Sequence, residues 1–192
     1  MKTGHILGLG ILAAMLTVAM PVTAQQPLDP SRPGVVTANL VTIHAIVMDI
    51  DKANRTVVLR SPEGKEVTVK VDPVARNFDQ IAKGDKVTTE FYEETAIFVR
   101  TATEQPTAGQ ANTVAVAPKG DKPGVIDVTT TEITARVEAI DYANRTVDLR
   151  GPQGNVRTLK VGDEVKRLNE VKVGDEVVVR NTQAVAINVT KE

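Results

Sequence analysis

The sequence contains no cysteine and no tryptophan, and aromatic residues make up only 3% of its 192 positions. Without cysteine the chain cannot form disulfides or thiolate metal sites, so its fold must rest on an apolar core. The scarcity of aromatic side chains argues against the stacking platforms with which many β-barrels bind single-stranded nucleic acid. With 23 Lys and Arg against 24 Asp and Glu, no excess of positive charge attracts a polyanion. We therefore expect no nucleic-acid partner.

Residues suited to catalysis are equally scarce. After residue 24 the only serines are Ser31 and Ser61, and His44 is the one histidine. A serine or cysteine nucleophile with a histidine base therefore has no convincing components here. We predict that the protein is not an enzyme and carries no cofactor.

The N-terminus has the pattern of a bacterial export signal. Lys2 precedes an uncharged run from Ile6 to Met20, and small residues at Val22 and Ala24 stand where signal peptidase reads the chain. The uncharged run is shorter than the roughly 20 residues of a membrane-spanning helix. We predict a signal peptide at residues 1–24 with cleavage after Ala24, a periplasmic location, and no membrane span in the mature chain.

An internal repeat divides the rest of the chain. Residues 33–100 match residues 123–190 without gaps at an offset of 90, and 26 of these 68 pairs are identical. Residues 101–122, rich in Thr, Ala, Gln, Gly and Pro, separate the copies. The repeat predicts a mobile lead-in at 25–32, a first domain at 33–100, a flexible linker at 101–122 and a second domain at 123–190.

Each copy shows the alternation typical of strands. In the first copy the pattern predicts strands at residues 41–50, 56–61, 65–71, 86–92 and 95–100, with Asn54 in the left-handed conformation at the first turn. A helical turn capped by Asn77 would direct Phe78 and Ile81 toward the core. Five short strands, with a helical turn between the third and fourth, predict an all-β fold of two tandem five-stranded OB-like β-barrels.

The run through Asp51, Asn54 and Leu59, followed by Asn77-Phe-Asp-Gln-Ile81 and Lys83-Gly-Asp-Lys-Val87, resembles the small periplasmic copper-chaperone barrels of the CusF type and related secreted OB-like domains. The resemblance covers both copies and implies the barrel fold. It also implies copper or silver binding through one His, two Met and one Trp on the second and third strands. Here residues 57–61 contain no His, residues 65–71 contain no Met, and Trp is absent. Copper or silver handling is therefore the alternative function.

Differences between the copies predict a binding surface. Ile43, Ala45 and Val47 are kept in the second copy and should face the barrel interior, whereas positions that change polarity should face outward. Ile50 falls out of phase with this alternation, which predicts a β-bulge near Asp49. The outward positions that are apolar in the first copy and polar in the second are Ile46, Met48, Val58, Tyr92 and Phe98.

Such an apolar surface needs either a cover or a partner. The second barrel, the linker or the lead-in could pack on it; a periplasmic protein or a second copy of the chain could bind it instead. We predict an exported, non-enzymatic binding or adaptor protein that acts through this outer face of the first barrel. The sequence does not specify the ligand.

Metal ligands are few. His44 and Met48 are weak candidates, because residues four apart on a strand are separated by about 13 Å unless a bulge or another chain brings them together. The Asp49, Asp51 and Asn54 cluster lacks the Gly and Glu that a calcium-binding EF-hand loop needs at its sixth and twelfth positions. Stabilisation of a turn explains these oxygen atoms better.

Overall fold

The computed structural model describes residues 32–102 and 104–191, and the regular structure of these residues is β-strand apart from two short 3₁₀ turns. The prediction of an all-β fold is confirmed. Within these ranges no helix has the length and apolar character needed to cross a bilayer. The predicted signal peptide and most of the predicted lead-in lie outside the described residues. The strands are β1 (Gly34–Asp51), β2 (Thr56–Arg60), β3 (Glu66–Lys70), β4 (Lys86–Thr101), β5 (Ala108–Val116), β6 (Gly124–Asp141), β7 (Thr146–Arg150), β8 (Val156–Lys160) and β9 (Asp175–Thr190), and the 3₁₀ turns are Phe78–Gln80 and Leu168–Glu170.

All nine strands belong to one antiparallel sheet with the order β3-β2-β1-β4-β9-β6-β7-β8, and β5 pairs with β6. This path does not close into two separate five-stranded barrels. The strands predicted at 86–92 and 95–100 form the single strand β4, which runs straight through Glu93 and Glu94. A hairpin of two residues needs Gly, Asn or Asp at that point, and two glutamates do not supply the required conformation.

The two copies are joined across β4 and β9. These strands pair along their whole length, and Glu93 lies opposite Gln183, its own counterpart at the repeat offset. The chain therefore has an approximate two-fold axis at this pair. Around that axis, β1 lies outside β4 in the same register in which β6 lies outside β9.

Each copy contributes a strand end to the core of the other. The first core contains Val189 from the second copy, and the second core contains Val99 from the first copy. The two cores therefore cannot separate without breaking the β4–β9 pairing. The other buried members are Val47, Val57, Phe78, Ile81 and Val87 in the first core, and Val137, Val147, Leu168 and Val171 in the second.

The predicted helical turn is a 3₁₀ turn, and it buries Phe78 and Ile81 as expected. The side chain of Asn77 does not cap it. Asn77 has a φ of 63°, and its amide group donates to the Pro118 carbonyl oxygen at 2.6 Å. Lys122 donates to the Gln80 carbonyl oxygen at 2.7 Å. The segment predicted as a linker thus contains a strand, β5, and a loop that docks on the first core.

The first turn differs from expectation in one residue. Arg55, not Asn54, has the left-handed conformation, with a φ of 52°. The Arg55 guanidinium donates to the carbonyl oxygens of Val71 and Ala75 and lies 4.6 Å from the centroid of the Phe78 ring. These contacts hold the backbone in place, because the side chain is fixed at both its polar and its apolar surface.

The predicted bulge is confirmed. The β1–β2 register shifts between Val47 and Asp49, and the second copy shifts at the equivalent position between Val137 and Ala139. Ile43 was expected inside the barrel, but it is 50% exposed, whereas Val47 is 1% exposed. The core begins only near Ala45 because β1 starts at Gly34 and runs far beyond the part that β2 covers.

Candidate functional site

The predicted partner-binding residues do not form one surface. Ile46, Met48 and Val58 are half-buried near the junction of β1 and β2, while Phe98 pairs with Gly34 at the other end of β1. Twelve residues of strand separate the two ends, which corresponds to about 40 Å.

Phe98 is buried rather than exposed. It is 7% exposed and packs with Ala96 and Val178, and the Arg180 guanidinium carbon lies 5.3 Å from its ring centroid. The expectation of an outward, exposed Phe98 is wrong because Val178 and Arg180 belong to β9, which the prediction placed in a separate barrel.

Tyr92 lies on the same side of β4 as Phe98 and is partly buried. Its hydroxyl donates to Glu94 at 2.6 Å. Burial, together with this hydrogen bond to a carboxylate, raises the pKa of Tyr92 to about 12. The hydroxyl of Tyr92 therefore already has a hydrogen-bond partner within the chain.

A different apolar surface lies on the opposite face of the central strands. Because the registers of β1, β4 and β9 pair odd-numbered residues with odd-numbered residues, their odd side chains share one face. Next to the first core this face carries apolar side chains, and Phe91 is 44% exposed among them. We call Val41, Ile43, Phe91, Val185 and Ile187 the central apolar surface.

A polar border limits this surface at the approximate two-fold axis. The Gln183 amide donates to Glu93 at 3.3 Å, and the Asn181 amide donates to Thr95 at 3.1 Å. A shallow depression of about 230 Å³ lies between the two zones, and Phe91, Val185 and Glu93 are among its lining residues. The site thus offers apolar contact beside an exposed carboxylate.

The second half of the sheet keeps only the two isoleucines of this surface, as Ile133 and Ile97. Across the two-fold axis, Val41 and Phe91 are replaced by Thr131 and Asn181, and Val185 corresponds to Thr95. Comparison of the copies could have found this difference. The difference was missed because the predicted strand had Tyr92 facing outward, and alternation then turns Phe91 toward the inside of a closed barrel. In the open sheet, the face that carries Phe91 is exposed.

The metal candidates remain apart from other ligands. His44 is exposed, and its Nδ1 lies 3.2 Å from the Thr88 hydroxyl oxygen. In the part of the chain that the structure describes, no group of three His, Cys, Asp or Glu side chains could hold a metal ion. Copper or silver handling through His44 and Met48 stays a prediction.

The Asp51 cluster is a turn. Asp51 accepts hydrogen bonds from the side-chain amide of Asn54 at 2.6 Å and from its backbone N–H at 3.0 Å. These two bonds hold the pKa of Asp51 below its usual value. Asp141 and Asn144 repeat the arrangement in the second copy, which favours turn stabilisation over calcium binding.

Comparison with known proteins gives no matching family model, no matching curated protein and no matching solved structure.

Proposed function

We propose that this chain is an exported, non-enzymatic binding or adaptor protein and that the central apolar surface is its docking site. The observation that carries the proposal is the exposure of Val41, Ile43, Phe91 and Ile187 on one face of a sheet whose other half has Thr131 and Asn181 in place of Val41 and Phe91. Burial of each half-exposed side chain by a partner would contribute about 1 kcal/mol before the cost of association.

The chemistry of the site specifies a class of partner. The depression beside Phe91 fits an apolar side chain, and the Glu93 carboxylate at its border is 3.3 Å or more from its amide donors. A charged donor forms a stronger bond to a carboxylate than an amide does. The proposed partner is therefore a protein segment with an aliphatic or aromatic residue next to a Lys or Arg.

We also propose that each half is an OB-like unit whose fifth strand comes from the other copy. Val189 in the first core and Val99 in the second support this interpretation, as does the 3₁₀ turn that precedes β4 and β9. Export rests on the N-terminal pattern alone. The mass of the protein secreted by a bacterial host tests it, because cleavage after Ala24 leaves Gln25 as the first residue.

The docking site is tested with peptides selected by display on the purified protein. The double variant Val41→Thr and Phe91→Asn copies the second half of the sheet, and we expect it to weaken binding of selected peptides by about tenfold or more. The matched control is Ile133→Thr with Ile97→Asn, which removes apolar area from the same face outside the site. Circular dichroism verifies that both variants fold. Equal loss of binding in both variants, or no selected peptide with an apolar–basic pair, contradicts the proposal.

A further inference from the structure

The outer edge of β1 is open over much of its length. β4 pairs with residues 34–46 on one side of the strand, but on the other side β2 pairs only from Ile46 onward. Among the described residues no strand covers the remaining edge. Large apolar side chains are 43–50% exposed on both faces here: Val36, Leu40, Val41 and Ile43.

The second copy shows what this edge can accept. There β5 pairs antiparallel with Val125–Ile133 of β6, and β7 pairs with β6 from Arg136 onward. Residues 125–133 are the counterparts of residues 35–43 at the repeat offset. The edge of β6 therefore accommodates two antiparallel strands, the nine-residue β5 and, beyond it, β7.

In the first copy, the counterpart of β5 falls largely within the predicted signal peptide. The counterparts of β5 at the repeat offset are residues 18–26. Cleavage after Ala24 removes seven of these nine residues from the chain. Only Gln25 and Gln26 of this counterpart remain in the predicted mature chain, so we expect the occupant to come from another molecule.

The sequence of the open edge lacks the features that normally prevent pairing with another chain. Exposed edge strands usually carry Lys, Pro or inward charges. From Gly34 to Met48, β1 has no charged residue and no proline. By contrast, β6 carries Asp127 and Glu132 in the stretch that β5 already covers. The covered stretch of β6 thus carries charges, whereas the open stretch of β1 carries no acidic or basic side chain apart from His44.

We propose that β1 pairs antiparallel with β1 of a second copy, so that two chains form one continuous sheet. An axis at Asn39, the centre of residues 35–43, covers the same nine positions that β5 covers in the second copy. It places Asn39 beside Asn39 of the partner subunit, Val35 beside the partner's Ile43, and Ala38 beside the partner's Leu40. A two-fold seam between antiparallel strands already joins β4 and β9 inside the chain. The dimer goes beyond the docking site and does not depend on it, because Phe91 lies one strand away from the seam.

Sedimentation of the protein secreted from the full-length gene tests the assembly. We expect a dimer at micromolar concentration, and we expect Leu40→Lys to raise its dissociation constant by about tenfold or more, since two like charges then lie at the seam. Leu159→Lys is the matched control, because Leu159 is 48% exposed on the distant strand β8. A wild-type monomer at these concentrations, or a dimer that the control disrupts as strongly as Leu40→Lys, overturns the proposal.

The register is tested by cross-linking, which is clean because the chain has no cysteine. Residues directly opposite in an antiparallel pair have Cα atoms about 4.5–5.5 Å apart, within the range of a disulfide. Asn39→Cys should therefore oxidise to a covalent dimer. Thr37→Cys should not, because its partner lies four residues along the strand, about 13 Å away. Cross-linking of Thr37→Cys at an equal rate, or none for Asn39→Cys, contradicts this register. Peptide binding by Leu40→Lys separates a failed dimer from a failed docking site.

Discussion

The two copies have matching cores and differ at the surfaces where another molecule could bind. The edge of β6 is covered by β5 and contains Asp127 and Glu132, whereas the equivalent edge of β1 is open and uncharged. On the face of the sheet, Val41 and Phe91 stand where the second copy has Thr131 and Asn181. The second copy completes itself with a segment of its own chain. The comparison supports the proposal that binding is a property of the first copy.

The largest effect should come from the two cores, each of which contains a residue of the other copy. Phe78→Ala should lower the free energy of unfolding by about 3–5 kcal/mol, because it empties the centre of the first core. Since β4 and β9 run through both cores, we expect one cooperative urea transition that shifts as a whole. Val173→Ala is the control, because Val173 is 65% exposed. Two transitions, of which only one moves, would show that the copies are independent.

A smaller loss of stability should distinguish two ion pairs that stand at equivalent positions in the two copies. Lys122 pairs with the buried Asp85, and its counterpart Arg32 lies 3.9 Å from Asp175. Lys122→Met should cost about 1–3 kcal/mol because it leaves a buried carboxylate without its cation. Arg32→Met should cost less than about 1 kcal/mol because that contact is longer and more exposed. Urea unfolding of both variants measures the difference in the free energy of unfolding. Equal losses in the two variants would show that the two ion pairs are equivalent.

The difference between the two halves of the sheet face can be removed by substitution in the second half. Thr131→Val with Asn181→Phe gives the second half of the sheet the counterparts of Val41 and Phe91. We expect a second binding site for the selected peptides, measured as a doubled stoichiometry by calorimetry. Because the new side chains are exposed, stability should change by less than about 0.5 kcal/mol. A normal fold with unchanged stoichiometry would show that these positions do not define the site.

The smallest effect concerns Tyr92, which the second copy replaces with Thr182. Its pKa is raised from 10.0 to about 12 in the fold. The stabilisation from the neutral phenol is therefore fully present below pH 10 and is lost as the pH rises toward 12. Tyr92→Phe should make the free energy of unfolding fall less steeply between pH 10 and pH 12. Parallel pH profiles for the variant and the wild type would contradict this assignment.

Local patterns in the sequence predict the core well and the connectivity poorly. Val47, Phe78 and Ile81 are buried as expected, and the bulge before Asp49 follows from the phase of Ile50. Each copy contributes the end of a long strand to the other copy because β4 does not turn back at Glu93 and Glu94. Neither glutamate is a residue type that favours a tight turn. The absence of a turn residue predicts only that the strand continues. Which strand pairs with the second half of β4 depends on long-range packing, which local patterns do not show.

Because long-range strand pairing could not be predicted, the candidate site was also predicted incorrectly. Phe98 was assigned to the outer face of a closed barrel, and the pairing of β4 with β9 buries it. Phe91 is exposed, and the pattern did not single it out. β5 was missed because its segment has few large apolar residues and pairs only along one edge. The open edge of β1 could be recognised only after β5 showed what covers its counterpart.

Hydrogen–deuterium exchange of residues 35–43 and 125–133 over a dilution series tests the central claim most directly. We predict that the β6 segment is equally protected at every concentration, because its cover belongs to the same chain. The β1 segment should be protected at high concentration and should lose protection as the dimer dissociates. Protection of the β1 segment that does not depend on concentration, or exchange as fast as in an exposed loop at every concentration, would contradict an edge that a second copy closes.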